Sequence, residues 1–237
     1  WSGCAVLIAP DVVVTAKHVL IAPRALEALS KPGRFTVRFR RHANGTLGSE
    51  AGGADSYHHV RVERWVDVAD ADLAIGLLVE PVEHIKPARV LIDVDPFQQR
   101  ACVIAGWGST SRFKGANGPR PGLRIGNNKA TTDGKLLRFR TSRTEQRADR
   151  HGFMMPYFIE DHAVVNMQDS GGALFVLDKQ DRPVLAGILA TYRTAVSLVA
   201  NNSERFPLEA AIQGGAVLKA ALGIEQEDTK EREADGE

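Results

Sequence analysis

Along the 237-residue chain, apolar positions fall in short runs that end at turn residues, and few keep a helical period. Residues 34–41 alternate Phe35, Val37 and Phe39 with Thr36, Arg38 and Arg40, the period-2 pattern of a strand with one buried face. That run ends at His42-Ala43-Asn44-Gly45, where Asn-Gly predicts a hairpin turn. Val12-Val13-Val14 and residues 60–66, 73–79, 102–105, 136–140, 173–177 and 184–190 are further strand-length runs. Asp133-Gly134 predicts a second tight turn, between Ala130-Thr131-Thr132 and Lys135-Leu136-Leu137. Helical pattern is confined to residues 25–29, after the Pro23-Arg24 turn, and 208–222, broken by Gly214-Gly215. Many short strands punctuated by Gly, Pro, Asn and Asp predict an all-β sandwich or barrel. Residues 80–96 carry Pro81, Pro87 and Pro96 and read as a connector between two halves. No internal repeat is present.

Composition narrows the class without changing the picture. With 43% apolar and 25% charged residues, the chain has ample material for one large core or two small ones. No run approaches the roughly 18 apolar residues of a membrane-spanning helix. A formal net charge of +1 gives no bulk attraction to nucleic acid or anionic lipid. Residues 225–237 hold seven acids and two bases, a net −5 that leaves +6 on the rest, and read as a disordered acidic tail. The sequence shows no secretory signal, and Trp1 already sits at the start of a strand, so the natural N-terminus is expected upstream and the absence of a targeting segment decides nothing. Arginine outnumbers lysine 21 to 9, which suggests a high-GC bacterial source.

Candidate chemistry changes the picture more. Acyl transfer by serine needs a nucleophile on a tight turn, an imidazole that takes its proton, and a carboxylate that orients the imidazole. Asp169-Ser170-Gly171-Gly172 offers the turn, since glycines after a serine let the backbone approach a substrate carbonyl. Thr15-Ala16-Lys17-His18 ends one apolar run on a histidine, and Asp72-Leu73-Ala74-Ile75 opens another with a carboxylate. Taken singly, each has an ordinary alternative: a plain loop, a hydrogen-bonded surface histidine, a turn or capping aspartate. In this chain order, each flanked by an apolar run, they point to one constellation.

These residues resemble the trypsin/chymotrypsin-like serine protease family. Residues 2–10 followed by Val12-Val13-Val14-Thr15-Ala16-Lys17-His18 are similar to the strand pair leading into its catalytic histidine. Asp72-Leu73-Ala74-Ile75 resembles its aspartate motif, and Ala105-Gly106-Trp107-Gly108 its Gly-Trp-Gly strand end. Gln168-Asp169-Ser170-Gly171-Gly172-Ala173 resembles its nucleophile motif, and Ala186-Gly187-Ile188-Leu189 the strand that follows. His18 to Asp72 spans 54 residues and Asp72 to Ser170 spans 98, in an order that differs from α/β-hydrolases and subtilisins.

The resemblance implies an all-β fold of two six-stranded antiparallel barrels, with the active site between them and a C-terminal helix. The protease domain is expected over residues 1–224: a first barrel at 1–80, its first strand possibly missing, a connector at 81–100, a second barrel at 101–207 and the helix at 208–224. Ser170 is implied as nucleophile, His18 as base and Asp72 as its orienting partner, with the N–H groups of Gln168 and Ser170 as the oxyanion hole. The implied partner is a protein or peptide substrate, with no cofactor.

Several positions depart from the family. Gln168 stands where glycine is usual; the N–H donor survives, but a Cβ is added that tilts the peptide or crowds the leaving side of the substrate. Val19 fills the place of a bridged cysteine after the histidine, and Val176 that of the usual partner of Cys102. Cys4 and Cys102 are therefore expected as two free thiols, which removes the usual need for an oxidising compartment and is compatible with the cytoplasm without excluding export. Asp169 occupies the place of an aspartate that, in vertebrate-type members, pairs with a freed N-terminal amine. Here it must find other donors, as bacterial relatives do, or leave the site deformed.

By the same resemblance, Val164 and then Val165 form the floor of the pocket for the residue before the scissile bond. Ala190, Thr191 and Tyr192 form its wall. An apolar floor without a carboxylate, narrowed by Tyr192 unless that ring swings to solvent, predicts a preference for small or medium aliphatic residues.

His58-His59 lacks metal-ligand spacing, and neighbours on a strand face opposite ways, so no metal is expected. Arg138, Arg140, Arg143, Arg147 and Arg150 read as a solvated strand and loop rather than a nucleic-acid site. A catalytically silent homologue acting as a protein-binding module is the competing reading, favoured by Gln168, Tyr192 and the absent first strand. An esterase or acyltransferase on another fold is disfavoured by the order of the triad.

Overall fold

The computed structural model describes residues 3–20, 35–40, 57–68, 70–92, 96–107, 124–139, 143–148, 154–159, 165, 168–204 and 206–224. The expected helix at 25–29, the Asn44-Gly45 turn, Trp1, Val164 and the acidic tail lie outside the described residues.

Three consecutive valines make up most of one buried strand of the first half. Strand β1 (Val6–Ala9) turns back through Pro10-Asp11 into β2 (Val12–Thr15), which runs into a single helical turn, α1 (Lys17–Leu20). Strands β3 (Thr36–Arg40), β4 (Tyr57–Asp67) and β5 (Ala74–Leu78) complete a curled antiparallel sheet of order β1-β2-β5-β4-β3. Every residue of β2 is buried, because both of its faces are covered. Val13 packs with Leu7, Val60, Val62 and Leu78 on one side. Val12 and Val14 join a cluster with Ile75, Leu208 and Leu218 on the other.

The second half is a closed barrel. Strands β6 (Arg100–Gly106), β7 (Arg124–Asp133) and β8 (Leu136–Phe139) precede a separate hairpin, β9 (Arg143–Ala148) and β10 (Met154–Ile159). Then β11 (Ala173–Leu177), β12 (Pro183–Leu189) and β13 (Thr194–Ser197) close the ring in the order β11-β12-β13-β8-β7-β6. The turn expected at Asp133-Gly134 joins β7 to β8, with Asp133 paired to Leu136. Cys102, Ile104, Leu137, Leu174, Val176 and Val184 are among the residues filling its interior.

A closed six-stranded barrel beside a curled five-stranded sheet is the two-barrel arrangement the resemblance implies, with five strands among the described residues of the first half. The connector is zipped onto the second barrel: Leu185 N–H donates to Arg89 C=O at 2.8 Å and Leu91 N–H to Leu185 C=O at 2.9 Å. The expected C-terminal helix is two, α2 (Leu208–Gln213) and α3 (Gly215–Ala221), with the break at Gly214. Asp11 Oδ1 accepts from Gly215 N–H at 2.9 Å, capping α3, and Lys219 Nζ meets Glu63 at 2.7 Å. Leu208 and Leu218 are buried under this strap, each contributing roughly 1.5–3 kcal/mol of apolar burial. The two helices are thereby fastened to the sheet that leads into His18.

Candidate active site

β2 ends where the chemistry begins. Helix α1 is a single turn, so His18 sits at the rim of the first sheet, and its side chain is 47% exposed. Asp72 lies just before β5, whose Ala74 pairs with Thr15 of β2, and this register brings the carboxylate beside the histidine. Asp72 Oδ1 accepts from the backbone N–H of His18 at 2.9 Å, and Oδ2 lies 2.7 Å from the ring Nδ1. One carboxylate thus fixes both the chain and the ring of His18. A carboxylate only accepts, so Nδ1 carries the proton, and Nε2 of the neutral ring keeps its lone pair.

The loop bearing Ser170 enters β11 from the second barrel. Gly172 N–H donates to Asp169 C=O at 2.8 Å, closing the turn around the serine, and Gly171 N–H donates to Leu189 C=O at 2.8 Å. Across the barrel boundary, Cys4 N–H donates to Ser170 C=O at 2.8 Å. A Cβ on Gly3 would lie 2.5 Å from Val19 Cγ1 and 3.1 Å from Ser170 C=O, so the serine is seated against the turn that carries His18. Among the described residues, no hydrogen bond joins Ser170 Oγ to the His18 ring. In unliganded enzymes that contact is often long and tightens only when substrate binds.

Gln168 is exposed and holds a φ of 70°, the left-handed region that favours glycine. Asp169 is buried with its carboxylate against the Cα of Gly106, and it is partnered. Val165 belongs to the second barrel's core cluster, and Ala190 is buried at the end of β12. Thr191 N–H and Ala190 N–H both donate to Thr194 C=O, so residues 191–194 form the tight turn of the β12–β13 hairpin. Tyr192 stands at its tip, 57% exposed, with the Arg193 guanidinium 4.9 Å from its ring centroid.

Neither cysteine is in a disulfide, and both are buried. Cys102 is paired with Val176 across β6 and β11, and burial pushes its thiol up to about 12, so it stays protonated at neutral pH. Gly3 and Val19 stand close enough for the missing bridge after the histidine. The double substitution Gly3→Cys with Val19→Cys is expected to form a disulfide closing a loop of about 16 residues, raising stability by ~2–3 kcal/mol. Denaturant unfolding with and without reductant measures this; equal midpoints in both conditions would refute the juxtaposition.

Among the described residues, no group of three or more His, Cys, Asp or Glu is placed to hold a metal ion. His58 Nε2 meets Glu80 at 3.4 Å and its ring lies 4.9 Å from that of His84. No helix among the described residues is long and apolar enough to cross a membrane. Two site-building residues carried no signal of their own in the sequence. Thr15 donates its hydroxyl to Cys4 C=O at 2.6 Å, and Cys4 grips the serine loop. A buried threonine ending an all-apolar strand was the available hint.

Two antiparallel units, with a histidine–carboxylate pair on one and a Gly-flanked serine turn on the other, make up a two-barrel fold. Residues 2–197 match the family described as Trypsin. The chain belongs to this family of trypsin-like serine proteases, which act on protein or peptide substrates. A comparison with curated proteins finds no match.

Proposed function

We propose that the chain is an active serine endopeptidase in which Ser170 is the nucleophile, His18 the general base and Asp72 the orienting carboxylate. The observation that carries this reading is the 2.7 Å contact between His18 Nδ1 and Asp72 Oδ2. Ser170 Oγ adds to the scissile carbonyl carbon while its proton passes to Nε2 of His18. The oxyanion is held by the N–H groups of Gln168 and Ser170. Collapse breaks the C–N bond, the leaving amine takes the proton from His18, and an ester to Ser170 remains. Water then gives a proton to His18, attacks the ester, and the serine hydroxyl is restored.

A fluorophosphonate probe tests this directly. Labelling of the folded protein at Ser170, abolished by Ser170→Ala, is the expected result. A folded protein that resists the probe is a silent homologue used as a binding module, the reading favoured by a non-glycine residue at φ 70° in position 168. Faster turnover of simple esters with no peptide cleavage would point to an esterase.

The substrate preference follows from the pocket residues. The expected pocket residues Val164, Val165 and Ala190 are all apolar in sequence, and Arg193 beside Tyr192 adds a cation near the expected wall. A lysine or arginine side chain would lose water there without gaining a carboxylate. Cleavage after Ala, Val or Leu is expected to exceed cleavage after Arg or Lys by at least ~10-fold, graded by size among the aliphatic residues. Mass-spectrometric profiling of a peptide library measures it, and dominant cleavage after basic residues would remove this assignment.

A further inference from the structure

Cys4 takes no part in the chemistry above, yet it grips the nucleophile loop from behind. Its N–H donates to Ser170 C=O at 2.8 Å, and its thiol donates to Gln168 C=O at 3.3 Å. On the far side, Trp107 N–H donates to Cys4 Sγ at 3.2 Å. A thiol has one proton to give. Here the thiol gives it to the Gln168 carbonyl. That carbonyl belongs to a residue in a strained conformation, since Gln168 keeps φ at 70° although it carries a Cβ. Strained residues persist only where their surroundings over-determine them. The surroundings here include a side chain 164 residues away in sequence.

The geometry points to Cys4 as a positioning residue of the oxyanion hole. Its thiol pins the Gln168 carbonyl inward and so keeps Gln168 in the left-handed conformation in which its N–H serves the developing oxyanion. The inference rests on the peptidase reading, and it supplies what a glycine in position 168 would not need. Without the thiol, Gln168 relaxes to negative φ by rotating its flanking peptides, and one oxyanion donor turns away. Loss of a whole donor lowers turnover by ~10²–10³-fold, so partial loss is expected to cost roughly 10–100-fold.

The test is a double-mutant cycle read by the rate of phosphonylation with a fluorophosphonate, separated into maximal rate and half-saturating concentration. Cys4→Val keeps the volume without donor or acceptor, Cys4→Ala removes both, and Cys4→Ser keeps both. Cys4→Val and Cys4→Ala are expected to lower the maximal rate by ~10–100-fold with a change of less than about threefold in half-saturation. Cys4→Ser is expected to restore most of it. In the Gln168→Gly background the same Cys4 substitutions are expected to cost less than about threefold, because glycine takes positive φ without strain. Equal losses in both backgrounds, or no loss in either, would overturn the role of Cys4. A parent protein that is never labelled overturns the peptidase reading instead, so the two failures are distinct. Should one apolar variant not fold, the other, compared across the two backgrounds, still decides. A loss in the parent that shrinks in the Gln168→Gly background supports the inference, and an equal loss in both backgrounds opposes it.

Discussion

Ser170→Ala is expected to lower kcat/KM for peptide hydrolysis by roughly 10⁴–10⁶-fold, and His18→Ala by a similar factor. Asp72→Asn should cost about 10⁴-fold, because an amide in contact with Nδ1 no longer selects the tautomer that leaves Nε2 free. On the proposed mechanism the three act as a unit. The triple variant should therefore be little slower than the worst single one. Folding is expected to survive each change, since the His18 and Asp72 side chains are 47% and 36% exposed and Ser170 is not in a core cluster. Initial rates on the peptide found by library profiling, with circular dichroism as the folding control, measure all of this. Near-parental activity of Ser170→Ala would end the proposed mechanism.

What the sequence makes legible here follows from how local each signal is. Strands such as Ala173–Leu177 and the break at Gly214 are readable because apolar period and turn residues lie within a few positions of one another. The β9–β10 hairpin is poorly readable for the same reason: Arg143–Ala148, with the sequence Arg-Thr-Glu-Gln-Arg-Ala, carries no apolar alternation. Helix α1, four residues long, is too short to show a period. In the site, His18, Asp72 and Ser170 announce themselves by motif, and the β2–β5 register brings two of them together. The supports do not announce themselves. That Cys4 faces Gln168, that Gly3 faces Val19, and that Gln168 keeps a positive φ depend on contacts between segments far apart in the chain. No local pattern encodes them.

Gly171→Ala is expected to be the most damaging single methyl group in the site. Gly171 has φ 84°, and its Cβ would lie 1.9 Å from Cys4 C=O and 2.4 Å from Thr15 Oγ1. Both neighbours are already committed, as the Thr15 hydroxyl donates to that same carbonyl at 2.6 Å. The left-handed conformation costs a non-glycine residue about 1–2 kcal/mol. Forcing the loop away from Cys4 adds ~1–3 kcal/mol of overpacking, and parting the buried Thr15–Cys4 bond another ~1–3 kcal/mol. A total of about 3–8 kcal/mol is a large share of an ordinary domain's stability and should lower Tm by at least ~10 °C. The displaced loop carries Ser170 with it, so phosphonylation should fall at least ~100-fold even well below the new Tm. Gly134→Ala separates contact from conformation. Gly134 also has positive φ, 56°, but its Cβ would meet nothing within 4 Å, so it should cost about 1 kcal/mol and leave activity alone. If thermal unfolding shows the two variants equally destabilised, the close seating of the serine loop against Cys4 is not what holds it.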